Sequence, residues 1–253
     1  MRDHGDMTAV FVHGVPEIGA LWNGVRSHLD GDTLAVDLPG FGTPRPAGFA
    51  ATKDEYAQWL ADVLRGLDGP VDLVGHDWGA GLVLRVVTAH DVPLRSWAVD
   101  VGAVFHPDYV WHDLAQAWQT PGLGEERTAA ALSAGPDARA GFLRAAGAPA
   151  ADAAVLAAAY DETMVGCILD LYRSAAPNPF ADWGAELSKP APAPGLVLQP
   201  SADEFDDPAR SGEVAVRLGA RTARLDGLGH WWMLQDPAAG AAALRSFWKS
   251  IHS

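Results

Sequence analysis

The stretch VDLVGHDWGAG, residues 71–81, constrains the fold more than any other part of the chain. A run of branched apolar residues leads through a G-x-D-x-G turn straight into AGLVLRVVTAH (80–90), a segment apolar on nearly every side. A strand and a helix of that kind belong inside a sheet covered on both faces. Gly75 and Gly79 permit a tight turn and close strand–helix packing, which pushes the side chain between them, Asp77, out of the sheet.

The rest of the chain repeats this rhythm. TAVFVHG (8–14), TLAVDLPG (33–40), SWAVDVGA (96–103), GLVLQPS (195–201) and RTARLDGLGH (221–230) read as strands. TKDEYAQWLADVLRGLDG (52–69) reads as a helix opened by Thr52 and Glu55 in a capping-box pattern, and DPAAGAAALRSFWKSI (236–251) as another. Short strands alternating with helices predict a doubly wound α/β architecture, in which ligands sit outside the carboxyl ends of the strands. Residues 106–188 break the alternation with Ala-rich helical segments punctuated at PGLG (121–124), SAGPD (133–137) and AAPNP (175–179). They read as a helical cap inserted into a core formed by 1–105 and 189–253.

Composition narrows the function classes. The chain has 253 residues, 49% of them apolar and 20% charged, enough for one sizeable core. A net charge of -14 disfavours nucleic acid and, weakly, a strongly anionic substrate. There is no apolar run of about 18 residues, so no membrane span is expected. MRDHGDMTAV lacks the features of a signal peptide, and Cys167 is the single cysteine, which together predict a cytoplasmic protein. The expected partner is a small molecule, with no metal and no cofactor, acted on by a monomer or homodimer.

G-x-D-x-G alone is also compatible with an ordinary turn in which Asp77 caps a helix. Three further motifs sit at the same end of the predicted sheet. HGVPE (13–17) follows the first strand, SADEF (201–205) the fifth, and GHWW (229–232) the last. They order Asp77, Asp203 and His230 along the chain, the order of nucleophile, acid and base in α/β-hydrolases.

With these motifs the chain resembles the aspartate-nucleophile branch of the α/β-hydrolase superfamily, which holds epoxide hydrolases and haloalkane or haloacetate dehalogenases. HGVPE resembles the HGxP oxyanion motif, DLPGFGTP (37–44) the D-x-P-G-x-G-x-S segment with Thr43 in place of serine, and GHDWGA (75–80) the nucleophile elbow. The resemblance implies an α/β-hydrolase fold, a mostly parallel sheet of about six strands with helices on both faces and a helical cap. Few residues precede HGVPE, so the usual antiparallel hairpin at one sheet edge should be missing.

A carboxylate gains little by attacking a carbonyl, because the anhydride formed is no easier to reach than the starting ester. At saturated carbon it displaces a leaving group in one step and forms an alkyl ester. The resemblance assigns that attack to Asp77. It assigns water activation to His230 oriented by Asp203, with Asp100 as the alternative acid, and an oxyanion hole to the backbone N–H groups of Val15 and Trp78.

Epoxide opening also needs a proton donor. ILDLYRSA (168–175) resembles the N-W-Y-R cap helix of epoxide hydrolases, which makes Tyr172 one donor. AWQTPG (117–122) resembles their F-Q-x-P-G segment, and counting back from it reaches Leu114 where that family has its second tyrosine. Tyr109, Trp111, His112 or Tyr160 are the substitutes. A halide needs N–H donors instead, for which Trp78 with Trp111 or Trp118 are the candidates. An epoxide is therefore the first expectation and a haloalkane the second. Behind them stand an esterase or lactonase and a non-catalytic binding protein, which has no need to keep Asp77, Asp203 and His230 together.

Overall fold

The computed structural model describes residues 8–186 and 190–251. The start of the N-terminal stretch read above for a signal peptide, residues 1–7, and the 188/189 boundary of the expected cap lie outside them. Six parallel strands form one sheet: β1 (Ala9–Val12), β2 (Thr33–Val36), β3 (Val71–Gly75), β4 (Leu94–Val99), β5 (Gly195–Pro200) and β6 (Arg221–Leu225), in the order β2-β1-β3-β4-β5-β6. This is the α/β-hydrolase architecture, with no antiparallel strand among the described residues.

Alternation along the strands divides the core between the two faces. Val10, Val12, Leu73, Val99 and Val197 pack with α2 (Lys53–Arg65), α3 (Trp78–Ala89) and α9 (Pro208–Leu218). Phe11, Val74, Ala98, Leu196 and Leu198 pack with α1 (Asn23–Ser27), α10 (Trp232–Gln235) and α11 (Pro237–Ile251). Both faces are thus buried, as the unbroken apolar runs require. Helices α1 and α9 are additions to the sequence reading. The second carries a start signal that escaped notice: Asp207 caps it by accepting the Ala209 and Arg210 N–H groups, and Pro208 occupies its first turn.

Between β4 and β5 the described residues contain helices only: α4 (Asp113–Gln119), α5 (Leu123–Ala145), α6 (Ala150–Ala158), α7 (Glu162–Ser174) and α8 (Phe180–Trp183). The SAGPD turn is a kink inside α5, where Gly135 leaves helical geometry (φ 79°) just before Pro136. Helix α7 is moored to the loops beside β2 and α2. Asp170 pairs with Arg45 at 2.7 Å, and the Ser174 hydroxyl accepts the Lys53 N–H at 2.8 Å. Cys167 presses on Gly40 so closely that a Cβ there would meet its Sγ.

The turn after β3 depends on absent side chains. A Cβ on Gly79 would stand 2.3 Å from the Val12 carbonyl oxygen, a clash with backbone that no rotamer relieves. Gly81, two residues on, has only ordinary contact, 3.7 Å to Phe105. Gly79→Ala should therefore cost about 1–3 kcal/mol or more by overpacking. Gly81→Ala should be neutral, or stabilise by up to about 1 kcal/mol through helix propensity. Thermal unfolding of the two variants checks this, and equal losses in Tm would refute the packing argument.

Candidate active site

Asp77 sits between β3 and α3 with φ 50° and ψ -119°, a backbone region that costs a non-glycine residue energy and persists only where neighbours enforce it. The neighbours are visible. The Asp77 N–H donates to Asp100 Oδ1 at 3.0 Å, and the Asp77 carbonyl accepts the Gly81 N–H. Gly14 lies so close that a Cβ on it would meet Asp77 Cβ at 2.4 Å. That proximity brings the Val15 N–H to Asp77 Oδ1 at 2.9 Å. The HGVPE loop is itself held by His13, whose Nε2 accepts the Leu38 N–H at 3.0 Å. Burial pushes the Asp77 carboxyl above its ordinary value, against the opposing pull of His230 and His76.

His230, on the loop after β6, places Nδ1 3.0 Å from Asp203 Oδ2. Asp203 is buried, and its other oxygen accepts the Phe205 N–H at 2.8 Å. Burial favours the neutral Asp203 carboxyl, but its bonds to His230 and Phe205 overcome this and keep it below the usual range. Burial and the charge of His76 likewise lower His230, while Asp203 and Asp77 raise it and prevail.

Asp100, the alternative acid, is engaged elsewhere. Its Oδ2 lies 2.6 Å from His76 Nδ1 and accepts the Trp232 indole N–H, also at 2.6 Å. The carboxylate that orients His230 is Asp203. His76 lies between two acids, because its Nε2 is 3.4 Å from Glu17 Oε1. Burial alone would lower His76; the charges of Asp100 and Glu17 hold it well above its ordinary value. Burial would raise Glu17, yet His76, helped by His230 and His13, pulls it down to about 2. Glu17 accepts the Trp231 indole N–H at 2.6 Å and the Gly14 N–H at 2.9 Å. The GHWW tryptophans therefore fasten two buried carboxylates, which sequence reasoning missed. The available signal was that Glu17 and His76 are polar residues inside HGVPE and GHDWG that had been given no role.

A cavity of about 390 Å³ opens above Asp77. Val15, Asp77, His112, Trp118, Tyr172 and His230 line it together with Glu17. Residues on both sides of the α5 kink complete the lining, Ala131 and Ala134 before it and Ala138 and Phe142 after it. Sequence patterning did not single out these residues.

Two expected site residues stand behind the cavity lining. Trp111 stacks on Trp78 at 5.5 Å, and its indole N–H is spent on the Ala175 carbonyl at 3.4 Å. Trp78 packs edge-on against Tyr172 at 5.3 Å, and its own indole N–H is buried with no hydrogen-bond partner. Burial, with the charge of Asp77, raises the Tyr172 hydroxyl well above a free phenol, while the Trp78 N–H acts in the other direction.

His112 caps α4: its Nδ1 accepts the Ala115 N–H at 3.3 Å. Burial and the nearby His230 lower its pKa, so the ring is neutral and carries its proton on Nε2. Phe205 packs against both histidine rings, at 5.0 Å from His112 and 4.8 Å from His230. Tyr160 and Leu114 also line the cavity, and Leu114 is 46% exposed; Tyr109 is buried outside the lining.

The acid loop has its own internal brace. Asp206 takes the Ser211 hydroxyl at 2.6 Å and the Ala103 N–H at 3.2 Å, and burial pushes its carboxyl up to about 6. A raised carboxyl pKa contributes stability fully below the unfolded value of about 3.9, and that contribution is lost as pH rises through the folded value. Asp206→Asn cannot ionise. The Tm of this variant relative to the parent should therefore become more positive between pH 4 and pH 7, a window running from about 3.9 to just past the raised pKa. A difference that stays flat across that range would contradict the assignment.

A family model described as "Alpha/beta hydrolase family" matches residues 9–243. No curated protein sequence matches the chain. Among solved structures, the haloalkane dehalogenase DbeA from Bradyrhizobium elkani is 21% identical with a TM-score of 0.72, covering 99% of this chain and 92% of its own. NosK from Streptomyces actuosus is 21% identical at TM-score 0.72, covering 98% and 100%. A thermophilic esterase from Thermogutta terrifontis is 19% identical at TM-score 0.71, covering 98% and 91%. At these identities the likeness concerns the fold. Among the described residues no helix is long and apolar enough to cross a membrane.

Proposed function

Because the chain belongs to the alpha/beta hydrolase family and carries a carboxylate at its elbow, we propose that it opens a small, largely neutral epoxide through an alkyl ester on Asp77. The observation that carries this reading is the placement of Asp77 at the cavity floor, on the Val15 N–H and beside the His230–Asp203 pair.

An Asp77 oxygen attacks one ring carbon in line with the C–O bond, which breaks as the new C–O bond forms. The departing alkoxide takes a proton from the Tyr172 hydroxyl while the His112 Nε2–H donates a hydrogen bond to it, both residues being in the cavity lining. His230 Nε2 then removes a proton from water, and the hydroxide attacks the Asp77 carbonyl carbon. The N–H groups of Val15 and Trp78 hold the oxyanion. As it collapses the ester C–O bond breaks, the leaving diol oxygen takes the proton of the added hydroxyl, and the Asp77 carboxylate returns. The proton on His230 goes back to the Tyr172 phenolate. His112 is the substitute for the tyrosine missing at Leu114, because its tautomer leaves a proton to give.

A haloalkane is the second reading, favoured by the unpartnered Trp78 indole N–H and by Trp118 in the cavity lining. With Trp111 engaged by Ala175, the halide has one N–H fewer than the sequence offered. Solved structures of similar fold include haloalkane dehalogenases and an esterase, so this second chemistry has precedent on the scaffold.

A single turnover in heavy-oxygen water followed by mass spectrometry of the Asp77 peptide should find the label in the carboxylate. Label in the product alone would remove Asp77 as nucleophile. His230→Gln should accumulate protein heavier by one substrate. With an epoxide, Tyr172→Phe should lower kcat by a factor of roughly 10²–10⁴, the usual share of a general acid. Screening for diol against halide release separates the two readings.

A further inference from the structure

Beyond the alkyl-ester cycle, we propose that Glu17, His76 and His230 form a binding site for a divalent transition-metal ion such as Zn²⁺, an ion that would hold the enzyme inactive. One donor atom from each of these residues lies within 4.8 Å of the other two. The ring atoms free to bind are settled by the partners. His76 Nδ1 is taken by Asp100 and His230 Nδ1 by Asp203, which leaves Nε2 of each. Carboxylate-backed histidines with a free Nε2 are the usual supporting arrangement of a metal-binding imidazole.

His76 points to a ligand independently. It is fully buried between Asp100 and Glu17, with Nε2 3.4 Å from Glu17 Oε1, so an ion would take the place of the proton that Nε2 holds between the two acids. Glu17 is oriented in the same manner, each oxygen accepting one N–H, from Trp231 and from Gly14, with lone pairs left over. Two imidazoles and one carboxylate suit Zn²⁺ and its neighbours in the first transition row, and leave a coordination position open. With bonds of about 2.1 Å, two donors at a tetrahedral ion stand about 3.4 Å apart, so a pair at the 4.8 Å limit must approach by up to about 1.4 Å, shared between two side chains. Four carboxylates surround the two rings: Glu17, Asp77, Asp100 and Asp203. Glu17 and His230 line the cavity, so the ion has a route from solvent.

An ion on His230 Nε2 occupies the lone pair that water activation needs. This consequence rests on the proposed role of His230, whereas ion binding itself does not. Co²⁺ titrated into the untagged protein reports on binding alone, through its visible d–d absorption. We expect a band saturating at one ion per chain, displaced by Zn²⁺ and lost in both Glu17→Gln and His230→Gln. His112→Gln, in the same cavity lining, should keep the band, and Asp203→Asn should weaken the affinity by about 10–100-fold through lost support. No saturable band in the parent protein, or a band that survives both Glu17→Gln and His230→Gln, would overturn the site. Because the readout is the bound ion, its failure leaves the alkyl-ester reading standing, and failure of the labelling experiment leaves this site standing.

Discussion

The carboxylate of Asp100 holds the centre of this molecule together. It is fully buried at the carboxyl end of β4, and three donors converge on it: the Asp77 backbone N–H, the His76 ring and the Trp232 indole. A buried carboxylate is tolerable only when its lone pairs are met, and here each bond also fixes something else. The first pins the strained elbow at φ 50°. The second sets the tautomer and direction of the imidazole next to the elbow. The third ties down the loop that carries His230. One side chain thus couples β3, β4 and the turn after β6 at the point where the sheet presents its ligand-binding edge.

Glu17 repeats the arrangement on the other side of His76. It grips Trp231, the residue before Trp232, and the Gly14 N–H beside Asp77. The chain from Asp100 through His76 to Glu17 is a buried run of alternating charge, held in place by two consecutive tryptophans. Removing one member leaves an uncompensated charge in the core, which costs more than the pair contributes when intact. The rigidity serves geometry: a carboxylate nucleophile has to meet its target carbon in line, and small displacements at that step are expensive.

What was legible in the sequence follows from locality. The strand–turn–helix at 71–89 and the six parallel strands of the sheet could be read because periodicity and glycine placement act over a few residues. Asp77, Asp203 and His230 were legible through their motifs. The assignment of acids was not: Asp100 and Asp203 both end strands, and only the crossing of the β3 and β6 loops decides that one faces His76 and the other His230. The acceptors of Trp231 and Trp232 were not legible, because an indole N–H carries no label for a partner more than a hundred residues away. Helix α9 was overlooked although its Asp207–Pro208 cap stands in plain view, since the neighbouring acidic loop drew the reading toward Asp203.

The same logic explains why the elbow and the cap speak with different clarity. Core chemistry is bound to backbone geometry, so the carboxylate, the N–H of Val15 and the His230–Asp203 pair can occupy few other places. The cap only has to bring a donor near the leaving atom, and any helix that lines the cavity can supply it. In the proposed reaction Tyr172 does so from α7. Opposite it, where Leu114 offers no proton, His112 reaches the cavity from the first residue before α4, with a tautomer set by the N–H it caps. A neutral imidazole whose free nitrogen bears hydrogen can donate a hydrogen bond to the leaving oxygen, and burial with the nearby His230 favours that neutral form. Halide stabilisation asks for N–H groups with no acceptor of their own, and the engagement of Trp111 by Ala175 withdraws one of the few available. The proposal of an epoxide over a haloalkane therefore rests on which cap hydrogens are still free to give, since the proposed chemistry of the elbow is common to both reactions.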